Sequence, residues 1–414
     1  MMNEPLHGLR IVDLSMVWAG PMGTRLLADY GAEVIKVESP LQWDLLRGLG
    51  LIPRTTDRWY NRSAYFNHNN RGKYGLALEL RKPKGRETLL RLCAVSDVIV
   101  ENYRADVMDN LGIGYEAVKA VKPDIIYVSM PGHGKTGPES GFVSYGSNVE
   151  QLAGLVSLTG YEGGEPMKTG FSYGDPMAAT SLVAAVAMAI RHRNRTGEGT
   201  RVDLAQRENL ACFVGEHVVD YSLNGVQRPP TGNRHPWMAP HNVYPCGGTE
   251  QWLTIACEDD AQFQALCRVI GQPALADDPR FATMAERKQN EHDLDPLIEA
   301  WTRTRGHYDA MFILQRAGVP AGAALTIPEL MADPHLRERG QWVPVTHPDA
   351  GTWELEAPPW KLSRTPGAAK LPAPGFAQHN QYVFRELLGM GEDEVAALYA
   401  EGVTADQPDA GLHQ

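Results

Sequence analysis

The chain has 414 residues, of which 43% are hydrophobic and 21% are charged, and its formal net charge is −11. This composition is typical of a globular protein with a sizeable core, and at about 150 residues per domain it predicts two or three domains, or one large domain with a smaller insertion. The negative charge and the lack of a basic tract argue against nucleic acid and anionic membranes as partners.

The cysteines and the N-terminal segment indicate the compartment. Five cysteines are scattered along the chain without a CxxC pair, so neither a zinc site nor a disulfide framework is predicted, and we expect no metal. The segment MMNEPLHGLR lacks the features of a signal peptide, and no apolar run approaches about 18 residues. We expect a cytoplasmic protein that does not cross a membrane.

Short β-rich runs alternate with helical spans in the first third of the chain. The predicted strands are 9–15, 32–38, 74–80, 96–102 and 124–130, and the predicted helices are 22–30, 83–95 and 104–121. This alternation predicts βαβ units and a mostly parallel sheet. Such sheets bind ligands at the carboxyl ends of their strands.

Two glycine-containing loops follow strands in this part of the chain. AGPMG (19–23) opens a helix whose N-terminus could bind phosphate, but it is not the GxGxxG of dinucleotide sites. GKTG (134–137) lacks the spacing of a P-loop. The loop PGHGKTGPESG (131–141) is either a flexible surface loop or part of a site.

Residues 171–192, FSYGDPMAATSLVAAVAMAIRH, predict a loop followed by a helix of small residues that other elements can approach closely. Asp175 fits the N-cap and Pro176 the first helical position. A structural cap is one interpretation. The alternative is a reactive carboxylate, because small residues such as Gly170 and Gly174 leave it accessible and the helix dipole would keep it ionised.

The pattern changes in the second half of the chain. A strand start and a long helix are predicted over 201–223, and a Pro- and Gly-rich linker or lid over 225–240. A hairpin (243–257), helices (259–271, 283–304 and 307–318) and a strand (319–325) then form a plausible small domain. Strands with Pro-rich crossings (333–367) and an amphipathic segment (380–402) complete the chain.

Five stretches, in this order, resemble the family III CoA-transferases. They are GLRIVDLSMVWAGPMGTRLLADYGAEVIKVE, NRGKYGLALEL, VIVENYRADVMDNLGIGYE, GDPMAATSLVAAVAMAIRHRNRTGEGTRVDLAQRE and RAGVPAGAALTIPELMADPHLRERG. That family includes formyl-CoA:oxalate, carnitine and benzylsuccinate CoA-transferases and the α-methylacyl-CoA racemases. The likeness runs from about residue 7 to residue 400.

The resemblance implies an α/β fold with a Rossmann-like large domain formed by both chain ends. Residues 1–224 and 331–414 would form that domain, residues 225–240 a linker or lid, and residues 241–330 an inserted, smaller α+β domain. It also implies a homodimer whose chains interlock.

The resemblance places Asp175 at the position of the family's nucleophile. It implies transfer of CoA from an acyl-CoA donor to a carboxylic acid through a mixed anhydride and an aspartyl-CoA thioester. Covalent catalysis of this kind divides one difficult step into easier ones. CoA and acyl-CoA are then substrates, and no permanently bound cofactor is expected.

CoA is polyanionic, so a net-negative protein needs a local cationic cradle. By resemblance, the CoA-binding positions are Val17, Trp18, Ala19, Leu78, Arg81, Asn102, Arg104, Val143 and Tyr145. Candidates for substrate contact or for a lid are Arg47, Trp237 and Met238. A solvated surface charge is the alternative role for each arginine, and Arg104 is favoured as a ligand over Arg47 and Arg81.

Departures from formyl-CoA transferases bear on the substrate. Ser39 and Asn110 stand where those enzymes have arginines, and the bulkier HPWMAP (235–240) replaces a glycine-rich lid. These differences argue against a small diacid such as oxalate. Trp18 and Trp237 could flank a larger, partly apolar acyl group, or belong to a plain core.

Two other functions stay open at this point. A 2-methylacyl-CoA racemase on the same fold needs acid/base groups on both faces of the reacting carbon. Tyr145 occupies the position of the racemases' histidine, which is the transferase-like choice, and His133 does not discriminate. A non-catalytic acyl-CoA-binding dimer is the third possibility.

Overall fold

A parallel six-stranded sheet underlies the computed structural model, which describes residues 4–50 and 52–409. Its strands are β1 (Arg10–Asp13), β2 (Glu33–Glu38), β3 (Lys73–Ala77), β4 (Val98–Glu101), β5 (Ile126–Ser129) and β6 (Thr200–Asp203). They lie in the order β3-β2-β1-β4-β5-β6, all parallel. The α/β class predicted from the alternating pattern is confirmed, and the order reverses between β1 and β4, where such sheets form ligand crevices.

Two of the helices predicted in this part of the chain, within 104–121 and within 201–223, are each divided in the structure. The helices up to Asn224 are α1 (Ala19–Asp29), α2 (Ala64–Asn70), α3 (Pro83–Ala94), α4 (Val107–Asn110), α5 (Tyr115–Val121), α6 (Gly146–Leu152), α7 (Gly174–Thr196), α8 (Gln206–Cys212) and α9 (Gly215–Asn224). The single helix predicted over 104–121 is wrong. Gly112 adopts a φ of 72° between α4 and α5 and interrupts it.

The middle of the chain forms a three-stranded antiparallel sheet with helices. Its strands are β7 (His241–Pro245), β8 (Trp252–Ala256) and β9 (Ala321–Ala324), and its helices are α10 (Asp260–Val269), α11 (Met284–Gln289), α12 (Glu291–Thr302), α13 (His307–Arg316), α14 (Ile327–Ala332) and α15 (Pro334–Glu338). The predicted hairpin is confirmed as β7 and β8.

The last part of the chain contains an antiparallel pair, β10 (Trp342–His347) and β11 (Gly351–Glu356). A π-helical segment, Tyr382–Leu387, and α16 (Glu392–Ala400) follow within the predicted amphipathic segment 380–402. Short 3-10 helices cover Leu45–Gly48, Trp59–Asn61, Leu155–Leu158 and Pro273–Ala276.

The residues group into two compact units. The first contains the chain up to Val156, Lys168–Gln227 and the chain from Gly340 onward, and the second contains Ser157–Met167 and Arg228–Arg339. The second unit thus includes a segment that the sequence analysis places in the large domain. The predicted domain boundaries stay a prediction.

Helices α1 and α7 of the first unit pack closely, as the small residues of α7 predict. Ala178 and Ala179 are fully buried. A Cβ atom at Gly23 of α1 would lie 2.6 Å from Leu182 Cδ2 and 2.9 Å from the Ala179 carbonyl oxygen. This approach brings the first turns of the two helices together. In the described part of the chain, no helix has both the length and the apolar character needed to cross a membrane.

Candidate active site

Asp175 lies in the first turn of α7 and not at its N-cap, so the predicted capping role is wrong. The N-cap is Tyr173, which makes Asp175 the second helical residue and Pro176 the third. The first four N–H groups of a helix have no acceptor within it. A proline therefore loses no hydrogen bond at the third position, and the helix can begin earlier than the sequence indicates.

The carboxylate of Asp175 sits between the starts of two other helices. The backbone N–H of Ala19, the first residue of α1, stabilises its charged form. The carboxylate also lies against the Cα of Gly146, the first residue of α6, where an added Cβ would overlap Asp175 Oδ2 and the Cβ of Ser172. The side chain is therefore held in one place by groups from α1 and α6.

The pKa of Asp175 is raised to about 6. Burial is the main cause, the negative charge of Glu150 adds to it, and the hydrogen bond from Ala19 opposes both. Desolvation therefore outweighs any stabilisation of the charge by the helix dipole. The carboxylate is still mostly ionised at neutral pH, and it is more basic than an exposed aspartate.

Glu150 is a site residue that the sequence analysis missed. It lies on α6 and is fully buried. Its carboxylate accepts the N–H of Tyr173, and Thr169 Oγ1 lies 3.2 Å and 3.3 Å from its two oxygens. A glutamate within a helical run usually indicates a solvated face, so no local signal distinguished it.

We expect Glu150→Gln to lower the pKa of Asp175, because it removes the neighbouring negative charge at nearly constant shape. If Asp175 reacts as an ionised carboxylate, kcat/KM of the wild type should fall as the pH drops through about 6. In the variant this acid limb should move to lower pH. A pH–rate profile measures both, with Glu116→Gln on the exposed start of α5 as the charge-matched control. An unmoved limb would contradict the assignment.

Asp175 opens onto a cavity of about 240 Å³ within the first unit. Its walls include several of the residues predicted to bind CoA: Val17, Asn102, Arg104, Val143 and Tyr145. Val17 follows β1 and Asn102 follows β4, so the cavity lies at the carboxyl edge of the sheet as expected.

A second cavity of about 430 Å³ adjoins the first and shares Met16, Gln42 and Tyr103 with it. Its walls include Leu78 and Arg81, which were predicted to line the nucleotide. Arg81 Nη2 donates to Gln42 Oε1 at 2.7 Å. Because they share these wall residues, the two cavities together extend from Asp175 to Arg81.

The predicted residues Arg47 and Trp18 stand apart from these walls. Arg47 is 1% exposed, and its guanidinium bonds to Glu38, Asn61 and the Pro374 carbonyl. Its donors are thus used inside the protein, which corrects its assignment as a substrate or lid group. Trp18 is half-buried, with no partner for its indole N–H among the described residues.

Three other predicted residues have defined local partners. Arg104 is exposed and pairs with Asp106, with Nε 2.6 Å from Oδ1. The Asn102 side-chain amide bonds to the backbone of Met16. The N–H of Ala19, at the start of α1, lowers the pKa of Asp175.

Trp237 and Met238 belong to the second unit. Trp237 is 65% exposed and packs edge-on against His235, with ring centroids 4.6 Å apart. Their predicted part in a lid or in substrate contact stays a prediction.

The titratable groups in the walls around Asp175 bear on the racemase alternative. Tyr145 is 62% exposed and lines the same cavity as Asp175. Among the residues the structure describes, no histidine lines this cavity, and His133 borders a different one of about 510 Å³.

Residues 4–50 and 52–409 contain no group of three or more His, Cys, Asp or Glu arranged to hold a metal ion.

Comparison with known proteins relates the whole chain to one family. The model of CoA-transferase family III matches residues 6–380. The succinyl-CoA–D-citramalate CoA-transferase of Chloroflexus aurantiacus is 35% identical over 400 residues, 97% of this chain and 98% of that protein. The succinate–glutarate CoA-transferase of Agrobacterium fabrum is 33% identical, over 93% and 96% of the two chains.

Solved structures agree with these relatives. A CaiB/BaiF family protein from Brucella suis has a TM-score of 0.84 at 33% identity, with 93% of this chain and 100% of that chain covered. Rv3272 from M. tuberculosis has a TM-score of 0.80 at 25% identity, with 92% and 100% covered.

Proposed function

The chain belongs to CoA-transferase family III and is a CoA-transferase, and from this premise we propose that Asp175 is its covalent nucleophile. The observation that carries the proposal is the setting of this carboxylate. It lines a cavity at the carboxyl edge of the sheet, and the N–H of Ala19 stabilises its charged form. A carboxylate of raised basicity that remains ionised at neutral pH suits nucleophilic attack.

The proposed reaction begins with the attack of the Asp175 carboxylate on the thioester carbonyl of the donor. The carbon–sulfur bond breaks, CoA thiolate leaves, and a mixed anhydride forms. The thiolate then attacks the aspartyl carbonyl, which releases the donor acid as a carboxylate and leaves an aspartyl-CoA thioester.

The acceptor acid completes the exchange by reversing these steps. Its carboxylate attacks the aspartyl carbonyl, the thiolate leaves, and a second anhydride forms. Attack of the thiolate on the acceptor's carbonyl gives the new acyl-CoA and restores the Asp175 carboxylate. Each step exchanges one activated acyl group for another, and hydrolysis would destroy the activation. Exclusion of water is therefore the main requirement on the site.

The backbone N–H of Ala19 is the donor proposed to stabilise the oxyanions that form at the aspartyl carbonyl. It stabilises the charged form of Asp175. A donor that is preorganised in this way costs no reorganisation during the reaction. Leu78, Arg81 and Arg104 are proposed to flank CoA, because they line the two adjoining cavities.

The acids exchanged by this enzyme are proposed from the relatives only as a starting point. Two of these relatives are named for succinyl-CoA or succinate. Succinyl-CoA is therefore the first donor to test in a matrix of acyl-CoA donors against carboxylic acids, with products identified by mass spectrometry.

An interlocked homodimer is proposed as the active assembly. Helix α9 has no buried residue, and its exposed side chains include Val218, Val219, Tyr221 and Leu223. An apolar helix left uncovered in one chain is the kind of surface that a second chain covers. Light scattering in solution should give twice the chain mass of 45.6 kDa.

The five cysteines are free, which suits the proposed cytoplasmic location.

Trapping during turnover tests the covalent intermediate. With a donor acyl-CoA present and no acceptor, hydroxylamine should convert the aspartyl thioester to a hydroxamate, and peptide mass analysis should find it at Asp175. The reaction without donor is the control. Modification at another residue, or none, would contradict the mechanism. Exchange of the C2 hydrogen of 2-methylacyl-CoA in heavy water, without any acceptor, would instead indicate the racemase.

A further inference from the structure

The turn between β1 and α1 is held by side chains from three separate places in the chain. The carbonyl oxygen of Ser15 accepts from Lys36 Nζ of β2. The N–H and carbonyl groups of Met16 bond to the Asn102 amide, each at 2.8 Å. Side chains thus restrain three consecutive residues. Ser15 is restrained by Lys36, Met16 by Asn102, and Val17 by Asp44.

The third restrained residue, Val17, has a strained backbone. Its φ is 69°, in the left-handed region that β-branched residues rarely adopt. Its N–H points at the carboxylate of Asp44, 3.2 Å from Oδ1 and 3.3 Å from Oδ2. Such a conformation persists only where the surroundings impose it, and such strain is concentrated at functional sites.

Asp44 is itself fixed by a buried ion pair. Asp44 and Lys36 are both fully buried, and Lys36 Nζ lies 3.0 Å from Asp44 Oδ2. Asp44 Oδ1 also accepts the N–H of Leu46 at 3.0 Å. The proposed reaction steps use neither charge. A buried pair that the chemistry does not use needs another explanation, because removing two charges from water is costly.

The position of Val17 in the chain supplies that explanation. Trp18, the N-cap of α1, follows it, and Ala19, whose N–H stabilises the charged form of Asp175, comes next. Rotating Val17 into the extended region would swing the start of α1 and turn the Ala19 N–H away. The conformation of one residue thus sets the direction of the Ala19 N–H.

We propose that Asp44, anchored by Lys36, is a positioning residue that keeps Val17 left-handed and so directs the Ala19 N–H at Asp175. The inference rests on the proposed role of Asp175. Asp44 itself touches neither substrate nor the reacting atoms in this account. Its effect passes through the turn formed by Ser15, Met16 and Val17.

Asp44→Asn tests this inference. The amide has one oxygen for the N–H and ammonium donors that Asp44 now accepts, and it places an NH₂ group against one of them. We expect kcat to fall about 10- to 100-fold, with a smaller change in the KM of the donor. The acid limb of the pH–rate profile should move to higher pH, because the bond from Ala19 lowers the pKa of Asp175 and Glu150 continues to raise it.

A rescue variant separates positioning from general damage. Glycine adopts a positive φ without a side-chain penalty. Val17→Gly in the Asp44→Asn background should therefore recover most of kcat and return the acid limb toward its original pH. The control is Asp29→Asn, which breaks a similarly buried pair with Arg71 (2.8 Å) at the far end of α1. It should lower the melting temperature and leave the limb in place.

The outcomes separate this inference from the proposed function. If Asp44→Asn lowers only the melting temperature, as Asp29→Asn should, or if Val17→Gly restores nothing, the positioning role is wrong. If Asp175→Ala retains turnover, the nucleophile assignment fails instead. Should Asp44→Asn not fold, Asn102→Ala releases Met16 from the same turn. It is expected to shift the limb in the same direction, and an unshifted limb would overturn the inference.

Discussion

Asp175→Ala is expected to lower the rate of CoA transfer by at least about 10⁴-fold, or about 5 kcal/mol in transition-state stabilisation. Without the carboxylate neither the anhydride nor the aspartyl thioester can form. CoA should still bind, because its proposed contacts come from other wall residues of the two cavities. Steady-state kinetics with succinyl-CoA, or with the best donor from the matrix, measure the first effect, and calorimetric titration with CoA measures the second.

The matched control for this variant is Glu116→Ala. Glu116 is the second residue of α5, as Asp175 is of α7, and it is exposed. The control removes a carboxylate from the same position in a helix, but at a place away from the cavity. We expect activity close to that of the wild type. Substantial turnover by Asp175→Ala would exclude covalent catalysis at this residue, and loss of CoA binding would show that the substitution disturbs the fold.

Gly146→Ala is expected to lower kcat about 100-fold, because a displacement of the reacting group by about 1 Å has that effect. The new Cβ would overlap Asp175 Oδ2 and the Cβ of Ser172, so the carboxylate must move. Within helices alanine is favoured over glycine by up to about 1 kcal/mol. The loss of activity is therefore not expected to come from weakening of α6.

Gly141→Ala is the control for this second variant. Gly141 precedes α6 in the same part of the chain, and a Cβ there would have no atom within 4 Å. Its activity should match that of the wild type. Thermal unfolding should accompany the kinetics for both variants. Full activity of Gly146→Ala would mean that the close packing against Asp175 is not needed for the reaction.

The sequence predicted the α/β class and the parallel sheet because apolar periodicity is a local property of each segment. It also drew attention to Asp175 as an accessible carboxylate at the start of a small-residue helix, and the family resemblance placed this residue at the position of the nucleophile. The helix start was displaced by two residues, because proline is tolerated throughout a first turn. The break between α4 and α5 depended on the conformation of Gly112.

The environment of Asp175 could not be predicted in the same way. Its contacts with Ala19, Gly146 and Glu150 join segments far apart in the chain. Arg47 was predicted to contact the substrate or to belong to a lid, yet it pairs with a buried carboxylate, Glu38, inside the protein. The role of a charged side chain depends on which partner reaches it, and local sequence does not contain that information.

By itself, then, the sequence determined the order of strands and helices, the family and the residue proposed to react, because these follow from local periodicity and from the order of short motifs. Only the tertiary structure determined the environment of this carboxylate. That environment consists of its raised pKa, the N–H of Ala19 that stabilises its charge, and the strained turn that precedes Ala19. The turn joins Met16 to Asn102 across 86 positions of the chain. Such contacts arise when the sheet and helices pack, because burial and hydrogen bonding depend on all the neighbours at once.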